Sequence, residues 1–202
     1  MYKLYEFFSS GNCYKLRLLL TQLDIPFQRI QVDILKGESR TPEFLLKNPN
    51  GRTPVLEIET GKFLAESNAI LFYLSEETDF LPTDSFEKAQ VLQWLFFEQY
   101  SHEPYIATSR YWISILGKAE EYREALHQKR AGGEAALKVM EKHLTEHQFF
   151  VGERYTIADI ALFAYTHVAD EGGFDLSEFP AIQAWIKRVQ AQPKHISITQ
   201  QV

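Results

Sequence analysis

Apolar and polar residues follow two different patterns along the chain, and the change falls near residue 80. Before it, short β-favouring runs alternate with stretches whose apolar residues have helical spacing. The runs predict strands at Tyr2–Phe7, Phe27–Val32, Pro54–Ile58 and Lys62–Leu64. The helical spacing predicts helices at Cys13–Leu23, Pro42–Lys47 and Ser67–Ser75, with Ser67 as the N-cap residue of the last. The predicted order of elements is therefore βαβαββα.

Beyond the polar linker predicted at Glu77–Ser85, every apolar pattern has helical spacing. Helices are predicted at Phe86–Leu116, Ala119–His147, Thr156–Glu171 and Phe179–Gln192. The pair Gly132-Gly133 is expected to weaken or bend the second of these. The predicted fold class is α/β followed by all-α. Residues 1–77 form a thioredoxin-like domain, because its βαβ and ββα halves are present, and residues 86–202 form an α-helical bundle domain.

Composition narrows the function classes. The chain has 202 residues, of which 45% are hydrophobic, so it can bury a substantial core. A formal net charge of −6 argues against a nucleic-acid partner, because phosphate contacts require a clustered basic surface. Cys13 is the only cysteine, which indicates a reducing compartment. Neither a signal peptide nor an apolar run of about 20 residues is present, so we predict a cytoplasmic protein without a membrane partner.

The turn between the first strand and the first helix is the leading candidate for chemistry. It contains Ser9, Ser10 and Asn12, and the positive end of the helix dipole follows it. This arrangement suits an anion such as a thiolate. Lowering a thiol pKa by two takes about 2.7 kcal/mol. One hydrogen bond to a charged acceptor supplies about 1.5–3 kcal/mol. The alternative interpretation is that the serines only cap the helix.

Two later segments favour an anionic peptide as the ligand. If the Thr53-Pro54 bond were cis, the Thr53 backbone would face outward and could pair with an extended peptide. Ser67, at the start of a helix, offers a hydroxyl and an N–H to a carboxylate, and Glu66 can accept from an ammonium group. An α-amino acid carries both groups on one carbon. An ordinary trans proline and simple helix capping are the alternatives for these segments.

Together, the order and spacing of the three segments resemble those of the cytosolic glutathione transferases, over the full length of the chain. Ser10, three residues before Cys13, is similar to the Ser-x-x-Cys pattern of the serine-type classes. Lys47–Leu56 resembles the family's Asn-Pro-x-Gly-x-Val-Pro-x-Leu stretch, and Glu66–Ile70 resembles its Glu-Ser-x-Ala-Ile motif. The resemblance implies that Ser10 is the catalytic residue, with Ser9 or Asn12 as alternative stabilisers of the thiolate.

The resemblance also assigns the rest of the glutathione site. Pro54 corresponds to the family's cis-proline, and the Thr53 backbone would pair with the cysteinyl part of glutathione. Glu66 and Ser67 would hold the γ-glutamyl head. Glutathione is then a co-substrate, and no other cofactor and no metal are implied. The residues assigned to glutathione binding are Ser9, Asn12, Lys36, Arg52, Thr53, Pro54, Glu66 and Ser67, with Lys36 and Arg52 as candidates for its glycine carboxylate.

The helical domain agrees with the same family. Thr156 and Asp159 have the spacing of the family's capping box, with a role in folding. Tyr105 and Trp112 are predicted to line the site of an apolar electrophile, and core or dimer packing is the alternative for such aromatic side chains. A homodimer is implied by the resemblance. The expected activity is conjugation of the glutathione thiolate to electrophilic small molecules, with glutathione peroxidase activity as a further expectation.

Other interpretations stay open at this point. Isomerase, dehalogenase and ether-cleaving activities occur among the related enzymes, and some proteins of this architecture are non-catalytic binding modules. A thioredoxin-like oxidoreductase acting through Cys13 lacks the Cys-x-x-Cys motif. His143–His147 fits His-x-x-Glu-His, a zinc-peptidase pattern, but no convincing third ligand follows it. We therefore predict no metal site.

Overall fold

A computed structural model describes residues 1–200 and divides the chain into two compact units. The first unit comprises Met1–Glu76 together with the segment that begins at Pro193. The second unit is Glu77–Gln192. The sequence-based division placed everything after residue 86 in the helical domain, so the terminal segment differs from that expectation.

The first unit contains a four-stranded mixed sheet. Its strands are β1 (Tyr2–Glu6), β2 (Phe27–Gln31), β3 (Val55–Glu59) and β4 (Lys62–Ala65). The order across the sheet is β2-β1-β3-β4. Strand β1 runs parallel to β2 and antiparallel to β3, and β3 runs antiparallel to β4. This topology confirms the predicted thioredoxin-like domain.

Three α-helices belong to this sheet domain, and they lie where the apolar spacing predicted them. They are α1 (Gly11–Gln22), α2 (Pro42–Leu45) and α3 (Ser67–Ser75). The apolar side chains of α1 and α3 are buried, among them Leu16, Leu19, Ile70 and Leu71. Burial of these side chains holds the N-terminal ends of both helices in fixed positions.

The terminal segment joins the first unit through polar contacts with α1. The Tyr14 hydroxyl donates to the carbonyl of Ile196 at 2.6 Å. Arg17 is fully buried; it donates to Glu6 at 2.5 Å through Nη1 and to the Ile198 carbonyl at 2.9 Å through Nη2. A buried guanidinium requires such acceptors, because an unpaired buried charge is strongly destabilising. The last predicted helix ends before Pro193. The spacing of apolar residues after it does not indicate which unit the terminal segment joins.

The second unit is all-helical, as predicted. Its α-helices are α4 (Ser85–Phe97), α5 (Glu103–Arg110), α6 (Arg123–Leu144), α7 (Ile157–Thr166) and α8 (Pro180–Gln190). The predicted helix Phe86–Leu116 is interrupted by π-helical turns at Glu98–His102 and Tyr111–Ile115. The first turn ends two residues before Pro104, which has no backbone N–H to continue the helical ladder.

The prediction that Gly132-Gly133 bends or weakens its helix is wrong, because α6 continues through both residues. A Cβ atom at Gly132 would collide with the ring of Tyr105, and one at Gly133 would collide with the ring of Phe174. The two glycines therefore allow aromatic rings to pack directly on the helix backbone. That packing outweighs the low intrinsic helix propensity of glycine.

The predicted capping box begins α7. The Thr156 hydroxyl accepts from the Ala158 N–H at 3.3 Å, and the Asp159 carboxylate accepts from the Thr156 N–H at 2.9 Å. Asp159 also accepts from the N–H of Phe150 at 3.2 Å and from Trp185 Nε1 at 2.9 Å. This buried carboxylate therefore connects the start of α7 with α8 and with the loop before α7.

None of the helices formed by residues 1–200 combines the length and the apolar character that crossing a membrane requires.

Candidate active site

The turn before α1 places a serine hydroxyl at the start of the helix. Ser10 is the N-cap residue of α1, with φ −76° and ψ 126°, and its Oγ accepts from the Cys13 N–H at 3.4 Å. The capping alternative is therefore correct as a description of this contact. Capping uses the Ser10 hydroxyl only as an acceptor. The same hydroxyl can also donate a hydrogen bond to another partner.

Cys13 lies in α1, three residues after Ser10. Cys13 is fully buried, and burial raises the pKa of its thiol. Hydrogen bonds with the side chains of Ser10 and Thr53 act in the opposite direction and lower it. A buried thiol with a raised pKa is a poor nucleophile, since the thiolate is the reactive form. Cys13 is therefore not a candidate nucleophile.

Side-chain and backbone contacts fix the loop before β3. The Asn48 amide donates to the Arg52 carbonyl at 2.8 Å, and Asn48 Oδ1 accepts from the Asn50 N–H at 3.0 Å. Gly51 has φ +63°, and a Cβ there would lie 2.9 Å from the Ser39 carbonyl oxygen, so glycine is required at this position. The Thr53-Pro54 bond is cis, as the family resemblance implied.

The start of α3 contacts α1 directly. The Ser67 hydroxyl donates to Asn12 Oδ1 at 3.2 Å. Lys15 Nζ donates to Ser67 Oγ at 3.4 Å and to Asn68 Oδ1 at 3.2 Å. Ser67 therefore lies beside Asn12, the second residue of α1, close to the turn that carries Ser10.

The expectation that Ser67 caps α3 is wrong. Glu66 occupies the N-cap position, and its side chain makes no capping hydrogen bond. Ser67 is the first helical residue, and its hydroxyl is directed to Asn12 on α1 instead of to the backbone of α3. Glu66 is exposed, and its backbone φ is 68°, a value that residues other than glycine rarely adopt. Strained residues of this kind concentrate at functional sites.

The remaining residues predicted for glutathione binding are less constrained. Lys36 is in the 3-10 turn Ile34–Lys36, and its 78% exposed side chain pairs with Asp33 at 3.0 Å. The Arg52 side chain is exposed, and Ser9 is half-buried in the turn before α1. Their contacts with a ligand stay predictions.

The two residues predicted for the electrophile site share a neighbour in the second unit. Lys129 Nζ lies 5.6 Å from the ring centroid of Tyr105 and 5.5 Å from that of Trp112. The Trp112 ring also stacks on Tyr122, with centroids 4.5 Å apart and planes 4° apart. Tyr105 and Trp112 thus belong to one cluster of aromatic rings around a lysine. Their role toward an electrophile stays a prediction.

The His-x-x-Glu-His segment has structural contacts. The ring of His143 stacks on Phe150 with centroids 5.4 Å apart, and His147 forms an ion pair with Glu153. Burial lowers the pKa of His143, with the neighbouring His147 acting in the same direction. Among residues 1–200, no cluster of three or more His, Cys, Asp and Glu side chains has a geometry that suits a metal ion.

Lys15 is a residue at this site that sequence reasoning missed. It lies on α1 between Tyr14 and Leu16, and all three side chains are fully buried. A lysine within a helical stretch that is otherwise buried is itself a signal, because lysine is almost never fully buried without a polar partner. The residues that supply its partners are 52 and 53 positions away, so spacing along α1 does not reveal them.

Comparison with known proteins agrees with this geometry. Residues 1–76 match the glutathione S-transferase N-terminal domain, and residues 92–193 match the C-terminal domain of the same family. The chain belongs to the glutathione S-transferase family. A solved glutathione S-transferase from Pseudomonas fluorescens Pf-5 is 54% identical, with a TM-score of 0.96 over 98% of this chain and 99% of that one.

Two further proteins are similar to this chain. The disulfide-bond oxidoreductase YfcG of Escherichia coli K12 is 30% identical over 93% of this chain and 89% of its own length. A second family member from Pseudomonas fluorescens Pf-5, solved with two glutathione molecules bound, is 27% identical. The two structures superpose with a TM-score of 0.83, and the match covers 96% of this chain and 89% of that protein's chain. The first unit, which contains Ser10, Thr53 and Ser67, corresponds to the N-terminal glutathione S-transferase domain.

Proposed function

We propose that this protein is a glutathione transferase that binds glutathione on its first unit and transfers the thiolate to an electrophilic small molecule. The observation that carries the proposal is the hydrogen bond from Ser67 to Asn12, which joins the start of α3 to the turn that carries Ser10. Two helix N-termini and a serine hydroxyl then lie in one neighbourhood, which suits a ligand with a carboxylate and a thiolate. A relative solved with bound glutathione supports this ligand.

Each part of glutathione has a proposed partner. Glu66 accepts from the ammonium group of the γ-glutamyl residue, and Ser67 donates to its α-carboxylate. The Thr53 backbone pairs with the cysteinyl residue. The glycine carboxylate goes to Arg52 or Lys36, both of which carry exposed cationic side chains.

Ser10 is proposed as the donor that keeps the bound sulfur ionised, with Ser9 and Asn12 nearby in the same turn. Ser10 Oγ accepts from the Cys13 N–H, and the hydroxyl can also donate its own proton. Hydrogen bonds to ionised acceptors are about twice as strong as those to neutral ones. A hydrogen bond donated by Ser10 would therefore favour the glutathione thiolate over the neutral thiol. The ionised sulfur then attacks an electrophilic carbon, forms a C–S bond and displaces the leaving group.

The γ-glutamyl assignment predicts that Ser67→Ala weakens glutathione binding by about 10- to 100-fold, the worth of one hydrogen bond to a charged group. Isothermal titration calorimetry measures this directly. Ser85→Ala is the matched control, because Ser85 is the exposed first residue of α4 in the other unit. Equal affinity of wild type and Ser67→Ala would refute the assignment of Ser67 to the carboxylate.

A second candidate function is glutathione-dependent reduction of disulfides, which the similarity to YfcG favours. Glutathione thiolate would attack one sulfur of a disulfide, forming a mixed disulfide and releasing a thiolate. A second glutathione would then release the other thiol and leave as oxidised glutathione. The buried Cys13 takes no part in either step, since its raised pKa keeps it protonated.

We therefore expect Cys13→Ala to keep both its conjugation rate and any disulfide-reducing rate close to wild type. Its free energy of unfolding should fall by about 1 kcal/mol, the usual loss for a small change in the core. Assays with a chromogenic electrophile and with a mixed disulfide test the two activities side by side. Loss of disulfide reduction alone in Cys13→Ala would instead make Cys13 a redox residue.

The non-catalytic binding module stays an alternative, and glutathione binding without turnover of any electrophile, peroxide or disulfide would favour it. Homodimer formation and a cytoplasmic location are part of the same proposal. The cytoplasmic location rests on the single cysteine, since a reducing compartment leaves it unpaired.

A further inference from the structure

Lys15 is a fully buried cation at the place where α1 and α3 meet. Its relative accessibility is 0%, and its Nζ donates to Ser67 Oγ and to Asn68 Oδ1. Both acceptors belong to the first two residues of α3, so the ammonium group lies at the N-terminus of that helix. Burying a lysine side chain costs free energy, so a fully buried lysine beside a candidate binding site suggests a functional role for its positive charge.

The charge of Lys15 has the same sign as the nearby end of the α3 dipole. A helix N-terminus carries about half a positive charge and favours anions over cations. An ammonium group at that end raises the positive potential further in a site shielded from water, where screening by salt is weak. The two features together favour a bound carboxylate far more than a serine at a helix N-terminus would alone.

The hydrogen bonds around Ser67 have a direction. Lys15 donates to Ser67 Oγ, and the Ser67 hydroxyl in turn donates to Asn12 Oδ1. A hydroxyl that accepts from a cation is polarised and becomes a stronger donor, because hydrogen bonds in a chain reinforce one another. A carboxylate is a better acceptor than the neutral amide oxygen of Asn12, so it would accept the hydrogen bond from the Ser67 hydroxyl in place of Asn12.

We propose that Lys15 is a positioning residue for glutathione, which polarises the Ser67 hydroxyl and supplies the positive charge that fixes the α-carboxylate of the γ-glutamyl group. This inference rests on the proposed function, because it deepens the assignment of Ser67. If it is correct, the contribution of Lys15 to glutathione affinity requires the α-carboxylate of the ligand and is transmitted through Ser67.

The test measures the dissociation constants of two ligands by calorimetry. One is glutathione, and the other is the analogue in which the γ-glutamyl α-carboxylate is an amide. Lys15→Met should weaken glutathione binding by about 10- to 100-fold, as expected for loss of a charge-assisted interaction, and should leave the affinity for the amide almost unchanged. In the Ser67→Ala background, Lys15→Met should cause a smaller further loss than it does alone. Lys62→Met is the control, since Lys62 is an exposed lysine of β4.

Stability separates a ligand effect from a structural one. Lys15→Met removes both a costly buried charge and the donor to two neutral oxygens, so its Tm without ligand, compared with that of wild type, measures the structural effect directly. If Lys15→Met does not fold, Lys15→Gln, which keeps a polar group and removes the charge, should show the same preference between ligands. Equal fold losses for the two ligands, or full additivity with Ser67→Ala, would overturn the proposal. Failure of wild type to bind glutathione would instead overturn the proposed function itself.

Discussion

Ser10→Ala should lower the rate constant of conjugation by about 10- to 100-fold near neutral pH, because the thiolate loses one hydrogen bond worth about 1.5–3 kcal/mol. Glutathione affinity should change little, since the γ-glutamyl contacts at Glu66 and Ser67 are untouched. The same loss should raise the pKa of the bound glutathione thiol by about one to two. Ultraviolet absorbance of the thiolate in the complex, followed as a function of pH, measures that pKa directly.

The capping role of Ser10 requires its own control. Ser10 accepts from the Cys13 N–H, so Ser10→Ala should also reduce the free energy of unfolding by about 1 kcal/mol. Ser10→Thr keeps both the hydroxyl and the cap and should retain the rate. A Ser10→Ala variant with wild-type rate and wild-type thiol pKa would transfer the role to Ser9 or Asn12, and alanine variants of those residues would then identify the donor.

Asp159→Ala should cause the largest loss of stability of any single substitution considered for this chain. The carboxylate accepts from the N–H groups of Phe150 and Thr156 and from Trp185 Nε1. Its removal leaves these three buried donors without their acceptor, and each such donor costs about 1–3 kcal/mol. A loss of at least about 3 kcal/mol corresponds to a fall of roughly 6–12 °C in Tm for a protein of this size. Asp170→Ala, at an exposed carboxylate of the same unit, should leave the Tm unchanged.

The same carboxylate predicts a pH dependence with a definite sign. Burial raises the pKa of Asp159 to about 6, and the hydrogen bonds to it act in the opposite direction. Because this folded pKa is above the ordinary value, the contribution of the group to folding is complete below about pH 4 and is lost as the pH rises through 6. The stability gap between wild type and Asp159→Asn, measured by urea unfolding, should therefore narrow from pH 4 to pH 7. A widening gap would mean that the hydrogen bonds to Asp159 outweigh the effect of its burial.

Much of the fold was accessible from local pattern. Each strand and helix of the first unit lies within two residues of its predicted bounds, because burial on one face imposes a period of two or of 3.6 on the sequence. The capping box of Thr156 and Asp159 was equally readable, since its hydrogen bonds lie within one helical turn. The motifs also pointed to Ser10, Thr53 and Ser67. The structure places Ser67 in contact with Asn12, two residues after Ser10, and the roles of all three stay predictions.

The features that local pattern missed depend on residues far apart in sequence. The contact between Lys15 and Ser67 spans 52 positions, and no spacing rule encodes it. From sequence alone, Gly132 and Gly133 are expected to break a helix. The structure shows that they allow the rings of Tyr105 and Phe174 to pack on the helix backbone. The N-cap position of α3 was misassigned because the Ser67 hydroxyl binds Asn12 across the fold instead of its own helix. In each case a tertiary contact overrides a local preference.

The contacts of the terminal segment with Tyr14 and Arg17 also bear on the order of events during synthesis. The ribosome releases β1 and α1 first, yet the carbonyls of Ile196 and Ile198 that complete their polar contacts emerge more than 170 residues later. Until then, the buried hydroxyl and guanidinium lack those acceptors, and the first unit is incomplete while the whole helical unit is being made. A chain truncated after Gln192 should therefore show a protease-sensitive α1 and a helical unit that is already protected.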